Sequence, residues 1–347
     1  MRQQPAEDNG LVINAEGDYK SREEIIYDSM EKGEPIYTGK VIENISFDDM
    51  VEEFTRRRDA RLEFEGIPDN IEIIMPTDRP TVFCLMGDQH ASATYLNYEM
   101  LRDHVNMVSS HPLVYSVMGG DLIDGAAFNP AQDDKLGSFR EEALFARKML
   151  DKMGGESILL ACQGDHDMWA EKSGITMYQN FVERYNTPMV RGASRATIGW
   201  KDGVEYKFVF AHKLPGHSIY NKTHPQNRES KFGIQGADIY VGWHNHQKGL
   251  SQQVAKQADG NDILQTFAAP GAYKYSDSYS RKQGYSQQSE KELGAIWLVL
   301  HPYEKRVEAY WEMQSAIERV TPYLTGKLKS VKPPEKEELL NELAQSS

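Results

Sequence analysis

Apolar residues in this chain fall into short unbroken runs separated by stretches with helical spacing. Residues 82–86, 114–118, 158–162, 208–211 and 239–241 are such runs. Runs of this length, bounded by glycine and turn residues, read as strands buried on both faces. Residues 95–109 and 139–153 carry apolar positions at helical period and suit the crossover helices that parallel strands require. A third helix is expected over 175–185. Residues 196–200 and 206–210 flank Lys201-Asp202-Gly203, an Asp-Gly hairpin turn. Further strands are expected at 250–254, 263–267, 295–300 and 307–311. The first half alternates strand and helix, and the second is strand-rich. Two packed sheets with helices outside accommodate both halves.

Before this region the pattern is polar. Ser21-Arg22-Glu23-Glu24 is a capping box that predicts a short helix to about Lys32, stopped by Gly33. Ser46 predicts a second helix cap. Asp48, Asp49, Glu52 and Glu53 lie early in that helix and Arg56, Arg57, Arg58 and Arg61 late, as the helix dipole favours. Phe47, Met50, Val51, Phe54 and Leu62 share one face of it, which calls for a packing partner. The arginines read as a solvated face, with phosphate contact as the alternative. The expected organisation is an N-terminal helical extension over 1–75, one domain over 76–322, and a linker with a short helix over 323–347.

Composition narrows the class. A chain of 347 residues with 39% hydrophobic and 26% charged residues is ordinary for a globular protein. A net charge of −13 argues against a broad cationic surface, so any nucleic-acid contact must be local. Two cysteines, Cys84 and Cys162, are too few for a disulfide framework, and both fall inside expected strands, which suits a reducing compartment. The first residues lack the apolar core of a signal peptide, and no stretch approaches the roughly 18 apolar residues of a membrane span. The expectation is a cytoplasmic protein with no membrane partner.

The candidate chemistry sits where the apolar runs end. The first runs into Gly87-Asp88-Gln89-His90, the second into Gly120-Asp121-Leu122-Ile123-Asp124, and the third into Gly164-Asp165-His166-Asp167. The fourth ends at His212 and the fifth at Gly242-Trp243-His244-Asn245-His246. Ligands in open α/β sheets bind at the carboxyl ends of strands. Single Asp or His residues there are usually turn formers or satisfied polar groups. Five strands that all deliver them at one edge build a common site, and mixed carboxylate and imidazole donors suit a pair of divalent cations. Such donors accept manganese, iron, zinc or magnesium, with manganese the leading choice. His104, His111 and His301 lie outside the pattern and read as structural.

In these blocks the chain resembles the calcineurin-like metallophosphoesterase superfamily, whose motifs run D-x-H, G-D-x-x-D, G-N-H-D/E, H and G-H-x-H. The likeness covers residues 81–246 by motif. It implies a four-layer α/β/β/α sandwich of two mixed sheets with a dinuclear site at one end. By that likeness Asp88, His90 and His246 hold one metal, Asp165, His212 and His244 hold the other, and Asp121 bridges them. His166 becomes a non-ligand histidine acting on the phosphoester, with Asp124 orienting it from behind. Hydrolysis then proceeds by in-line attack of a water or hydroxide held between the cations. Two departures stand out: Asp165 replaces the usual asparagine, and Trp243 separates Gly242 from His244. No G-x-S-x-G nucleophile elbow and no G-x-x-x-x-G-K-[ST] phosphate loop occurs.

Three segments are expected around the site. Residues 125–138 hold Phe128, Asn129 and Pro130. Residues 213–236 hold His217, Asn221, Lys222, His224 and Arg228. Residues 271–287 interleave Tyr273, Lys274, Tyr275, Tyr279, Arg281, Lys282 and Tyr285. Rings among cations suit stacked bases beside a phosphate backbone, and equally suit a covered sheet edge with a soluble loop. Tyr275, Tyr279, Arg281, Lys222 and Arg228 are the candidate substrate contacts. A phosphodiesterase on nucleic acid or a nucleotide is the favoured reading. The alternatives are a phosphomonoesterase on a small molecule or phosphoprotein, and a non-catalytic scaffold. Gly125 follows Asp124 where the protein-phosphatase branch has arginine, which weighs against a phosphoprotein substrate.

Overall fold

A computed structural model describes residues 11–13, 19–21, 46–64, 70–125, 134–171, 184–256, 260, 262–282, 284 and 286–332. The expected helices at 21–32, 175–185 and 335–344 lie wholly or largely outside these residues, as do Phe128, Asn129, Pro130 and Tyr285. The chain divides into two compact units, Met1–Gly66 and Ile67–Ser347.

The first unit contains an antiparallel pair, β1 (Leu11–Ile13) with β2 (Tyr19–Ser21), and helix α1 (Phe47–Phe64). The Ser46 hydroxyl accepts the Asp49 N–H, which is the expected cap. The arginine cluster is internally paired: Glu53 binds Arg56 at 2.9 Å and Arg57 at 2.8 Å, and Arg58 meets Asp59 at 2.7 Å. Phe47, Val51 and Phe54 remain exposed, so the apolar stripe finds no cover among the described residues.

The second unit is built on two six-stranded mixed sheets. Its strands are β3 (Ile71–Met75), β4 (Thr81–Met86), β5 (Val114–Met118), β6 (Ile158–Cys162), β7 (Met189–Val190), β8 (Ser194–Trp200), β9 (Glu205–Ala211), β10 (Ile239–Gly242), β11 (Gly249–Lys256), β12 (Asp262–Ala269), β13 (Ile296–Leu300) and β14 (Val307–Tyr310). The helices used below are α2 (Tyr98–Ser110), α3 (Phe139–Met153), α4 (Asp165–Glu171), α5 (His224–Phe232), α6 (Ser278–Lys282) and α7 (Met313–Leu324). One sheet has the order β14-β13-β4-β5-β6-β7, and the other β11-β12-β10-β9-β8-β3. Strands β4, β5, β6 and β7 run parallel, as do β9, β10 and β12.

Alternate residues of each strand explain the layers. Val82, Cys84 and Met86 of β4 face helices α2, α3 and α7, joining Leu101, Val105, Ala146, Leu150, Ala316 and Val320. Phe83 and Leu85 point the other way and pack with Ile198, Phe208, Phe210 and Val241 of the second sheet. On that sheet's outer side Val209, Tyr240 and Phe267 cluster with Ala237. The expected sandwich is therefore the observed one. The crossover helices carry local start signals: Asn97 accepts the Met100 N–H to start α2, and Ser138 with Glu141 forms a reciprocal capping box at α3.

Residues 71–75 pair in parallel with β8, so the N-terminal extension ends before them. Their alternating exposure is that of an edge strand, which lacks the continuous apolar run of the central ones. At the other end α7 crosses residue 322. Pro322 reads as a helix breaker but sits in the last turn, while Ala316 and Val320 anchor the helix to the core.

One buried hydroxyl ties the end of the sandwich. Tyr206 lies between the sheets and its oxygen accepts the N–H groups of Arg306 (2.9 Å) and His301 (3.2 Å) while facing the Glu304 carbonyl at 2.8 Å. Tyr206→Phe takes this acceptor from the His301 N–H, while Arg306 N–H keeps the Glu304 carbonyl at 2.7 Å, and should cost about 1–3 kcal/mol. A urea denaturation midpoint equal to that of the unaltered protein would show that the hydroxyl contributes nothing.

Candidate metal centre

The strand ends of both sheets converge on one site. Beyond β4 come Asp88 and His90; beyond β5, Asp121 and Asp124; and β6 leads into α4, which opens with Asp165 and His166. The second sheet contributes His212 after β9, and His244 and His246 after β10. Strand-like pairing continues past the formal ends: Asp88 N–H donates to Gly120 O, His90 N–H to Asp121 O, and Ala91 N–H to Leu122 O, at 2.8, 3.0 and 3.0 Å. The two carboxylate-bearing loops are thus held in fixed register.

Five of the proposed ligands have left-handed backbone. Asp88, His90, Asp121, His244 and His246 show φ between 46° and 71°. Non-glycine residues adopt this region at an energetic cost, and it clusters where the surroundings fix a functional geometry. Asp88 and Asp121 are further pinned by main-chain donors. His244 N–H reaches Asp88 Oδ2 at 3.1 Å, and His166 N–H reaches Asp121 Oδ1 at 2.9 Å.

Donor atoms from Asp88, His90, Asp121 and His246 all lie within 4.8 Å of one another, and those of Asp121, His212 and His244 form a second such group. Asp121 belongs to both. His90 Nε2 stands 3.0 Å from His246 Nε2, and His212 Nε2 lies 3.3 Å from Asp121 Oδ2 and 3.3 Å from His244 Nδ1. Asp88 Oδ1 is buried without a hydrogen-bond partner, 3.8 Å from His246 Nε2. An orphaned buried carboxylate oxygen facing imidazole nitrogens fits a cation site.

Electrostatics agree with that fit. Burial, reinforced by the neighbouring Asp121, pushes the Asp88 carboxyl up to about 7, while burial takes His90 down to about 4. Burial also opposes charge on His212, but the Asp121 carboxylate outweighs it and holds the imidazole up to about 10. Protons satisfy this crowded donor set poorly; divalent cations would satisfy carboxylates and imidazoles together.

The imidazoles are oriented from outside the donor groups. His212 Nδ1 donates to the Gly119 carbonyl at 2.7 Å, which leaves Nε2 for coordination. His90 Nδ1 lies 3.0 Å from Asp124 Oδ1. Asp124, expected behind His166, has its main-chain carbonyl 2.8 Å from His166 Nδ1 and its carboxylate facing His90, with donor atoms of all three residues within 4.8 Å of one another. The half-buried His166 ring lies against Trp169 with centroids 4.5 Å apart, and edge-on to His90 at 4.8 Å.

Asp165 stands beside the second group and outside it. Its Oδ2 is 3.5 Å from His244 Nδ1 and 3.5 Å from Lys213 Nζ, so the carboxylate that departs from the family pattern meets a rim lysine. Trp243, the other departure, is buried on Gly87 and Gly119, where a Cβ at either position would collide with the indole. Asp167 is a structural residue of the site: its carboxylate accepts the N–H groups of Asp121, Leu122 and Gly164 at 2.8, 3.0 and 3.1 Å. Lys274, one cation among several in the 271–287 segment by sequence, is buried between Asp124 (3.4 Å) and Asp277 (2.9 Å). Nothing in its local sequence separates it from the solvated lysines.

Three of the five expected substrate contacts have partners within the chain. The Tyr275 hydroxyl accepts from Asn97 at 2.8 Å, Lys222 pairs with Glu292 at 2.9 Å, and Arg281 stacks on Tyr95 at 4.4 Å and hydrogen-bonds its hydroxyl. Arg228 is exposed on α5, and Tyr279 lies in α6.

No protein-family model matches the chain, and no curated protein matches it in sequence. Among solved structures it is similar to vacuolar protein sorting 29 from Cryptosporidium parvum, at 15% identity and TM-score 0.33, covering 67% of this chain and 98% of that one. It is also similar to nuclease MPE from Pseudomonas putida, at 12% identity and TM-score 0.29, covering 66% of this chain and 87% of that one. A metallophosphoesterase from Sphaerobacter thermophilus gives 12% identity and TM-score 0.31, with 69% and 93% covered. Overlaps this loose leave the case to the residues themselves. The order of the five motifs and the two-sheet framework make the resemblance to calcineurin-like metallophosphoesterases, and the Asp and His groups can hold metal ions.

Elemental analysis after manganese loading should find about two ions per chain. Asp121→Ala should hold fewer, because Asp121 serves both groups; two ions retained would remove its shared role. Asp124→Asn should weaken manganese binding by about 10–100-fold, the usual scale for a residue that orients a ligand histidine.

Proposed function

We propose that the chain is a dinuclear metal-dependent phosphoester hydrolase that prefers diesters. The observation that carries this is Asp121, shared between two compact donor groups with His166 beside them. Asp88, His90 and His246 would hold one cation and His212 and His244 the other, with Asp121 between and Asp165 at the rim of the second. Manganese is the proposed ion. When bound, the two cations supply Lewis acidity toward the non-bridging phosphate oxygens.

The protein's own part is positioning and proton control. His166 Nδ1 faces a carbonyl, which can only accept, so that nitrogen carries a proton and Nε2 is the exchanging atom. In the imidazolium form, Nε2 can donate to a leaving alkoxide; in the neutral form, it can receive a proton. Trp169 limits rotation of the ring from one side.

The substrate class proposed is single-stranded nucleic acid or a nucleotide. Support comes from Lys213, which meets Asp165, and from the Tyr95–Arg281 stack; Tyr275, Tyr279, Lys222 and Arg228 are the contacts proposed from the sequence. Stacked rings with adjacent cations suit bases and phosphates. The absence of an arginine after Asp124 supports a diester over a phosphoprotein. Both cysteines are buried and free, which supports the proposed cytoplasmic setting, and no helix among the described residues is long and apolar enough to cross a membrane.

Turnover of a chromogenic phosphodiester and of the matching monoester, both with manganese, separates the readings. Preference for the diester is expected. His166→Ala should lose roughly 10²–10⁴ in rate while keeping its metal. Preference for the monoester would redirect the proposal to small phosphorylated molecules, and loss of metal in His166→Ala would overturn the role given to that residue.

A further inference from the structure

Lys274 is a buried ammonium set behind the Asp124 carboxylate, which faces the proposed ligand His90. It is 5% exposed. Main-chain bonds on either side lock it against the ligand loop: Tyr273 N–H donates to Asp88 O at 3.3 Å and Tyr275 N–H to Tyr95 O at 2.9 Å. Its Nζ lies 3.4 Å from Asp124 Oδ1, the same oxygen that stands 3.0 Å from His90 Nδ1. On its other side Nζ meets Asp277 Oδ2 at 2.9 Å, and Asp277 is held by the main-chain N–H and hydroxyl of Ser280 at 2.6 and 2.7 Å. A continuous row therefore runs Asp277, Lys274, Asp124, His90.

We propose that Lys274 is a positioning residue whose fixed positive charge limits how tightly the cation site of Asp88, His90 and His246 holds its metal. The inference rests on the dinuclear reading above. A carboxylate behind a ligand histidine makes the imidazole a stronger donor. Lys274 shares the Asp124 carboxylate and offsets part of its charge, and its own field opposes a cation a few ångströms beyond. Asp277 in turn offsets part of the charge of Lys274. In so dry a site these charges act with little screening. A metal held less tightly remains more electron-poor, which suits polarising a phosphate.

The two ends of the row give opposite predictions. Lys274→Gln keeps hydrogen-bonding capacity toward Asp124 and Asp277 but removes the charge, and should tighten manganese binding by about tenfold. Asp277→Asn leaves Lys274 less compensated and should weaken binding several-fold. Manganese(II) chloride titrated into each folded full-length chain, with free ion read by electron paramagnetic resonance, measures both. A purely structural lysine predicts weaker binding in both variants, and that result, or equal affinity throughout, overturns the proposal. A Lys274→Gln chain that stays unfolded even with manganese also overturns it, because the added cation should replace the lost charge. If the unaltered protein binds no manganese, the dinuclear reading itself fails, and this inference with it.

Discussion

The site depends on how the ends of two sheets are held together. Trp243, at the end of β10, lies on Gly87 and Gly119, at the ends of β4 and β5. Any side chain at either glycine would meet the indole, so the close approach of the sheets at this edge requires their absence. The indole belongs to the core between the sheets, and the residues just beyond its contacts are Asp88, Asp121 and His244. A tryptophan packed on a glycine floor sets the distance across which carboxylates from one sheet face imidazoles from the other.

That distance has an electrostatic consequence. Asp88 and Asp121 are buried side by side, which raises the energy of their shared negative charge. Main-chain amides compensate part of it, through His244 N–H on Asp88 and His166 N–H on Asp121. Asp167 secures the turn behind Asp121 with three further amide bonds, and Gly164 leaves room for the Asp121 carboxylate where a Cβ would collide with it. Left-handed backbone at five of the proposed ligands is the geometric counterpart of this compression. The fold thus concentrates donors more densely than their own charges favour, and positive charge is what relieves it.

Much of this is legible in the sequence because strand ends are chemically marked. A buried strand is a short apolar run, and its termination in Gly-Asp or His is visible without neighbours; the strands carrying Asp88, Asp121, His212 and His244 all follow that rule. Edge strand β3 and helix α7 were obscured because exposure and a proline blur their patterns. The contact of Asp124 with His166, 42 residues away, and the burial of Lys274 against Asp124, 150 residues away, are not encoded by periodicity. Likewise the cations of the 271–287 segment look free in sequence, yet Arg281 is stacked on Tyr95 and Lys274 is enclosed.

The central claim is that two cations sit across the seam between the sheets with the Asp121 carboxylate between them. Anomalous diffraction at the manganese edge from crystals grown with manganese tests it most directly. The account predicts two peaks, one among Asp88, His90 and His246 and one beside His212 and His244, both within bonding distance of Asp121. A single peak, or peaks away from Asp121, would contradict it.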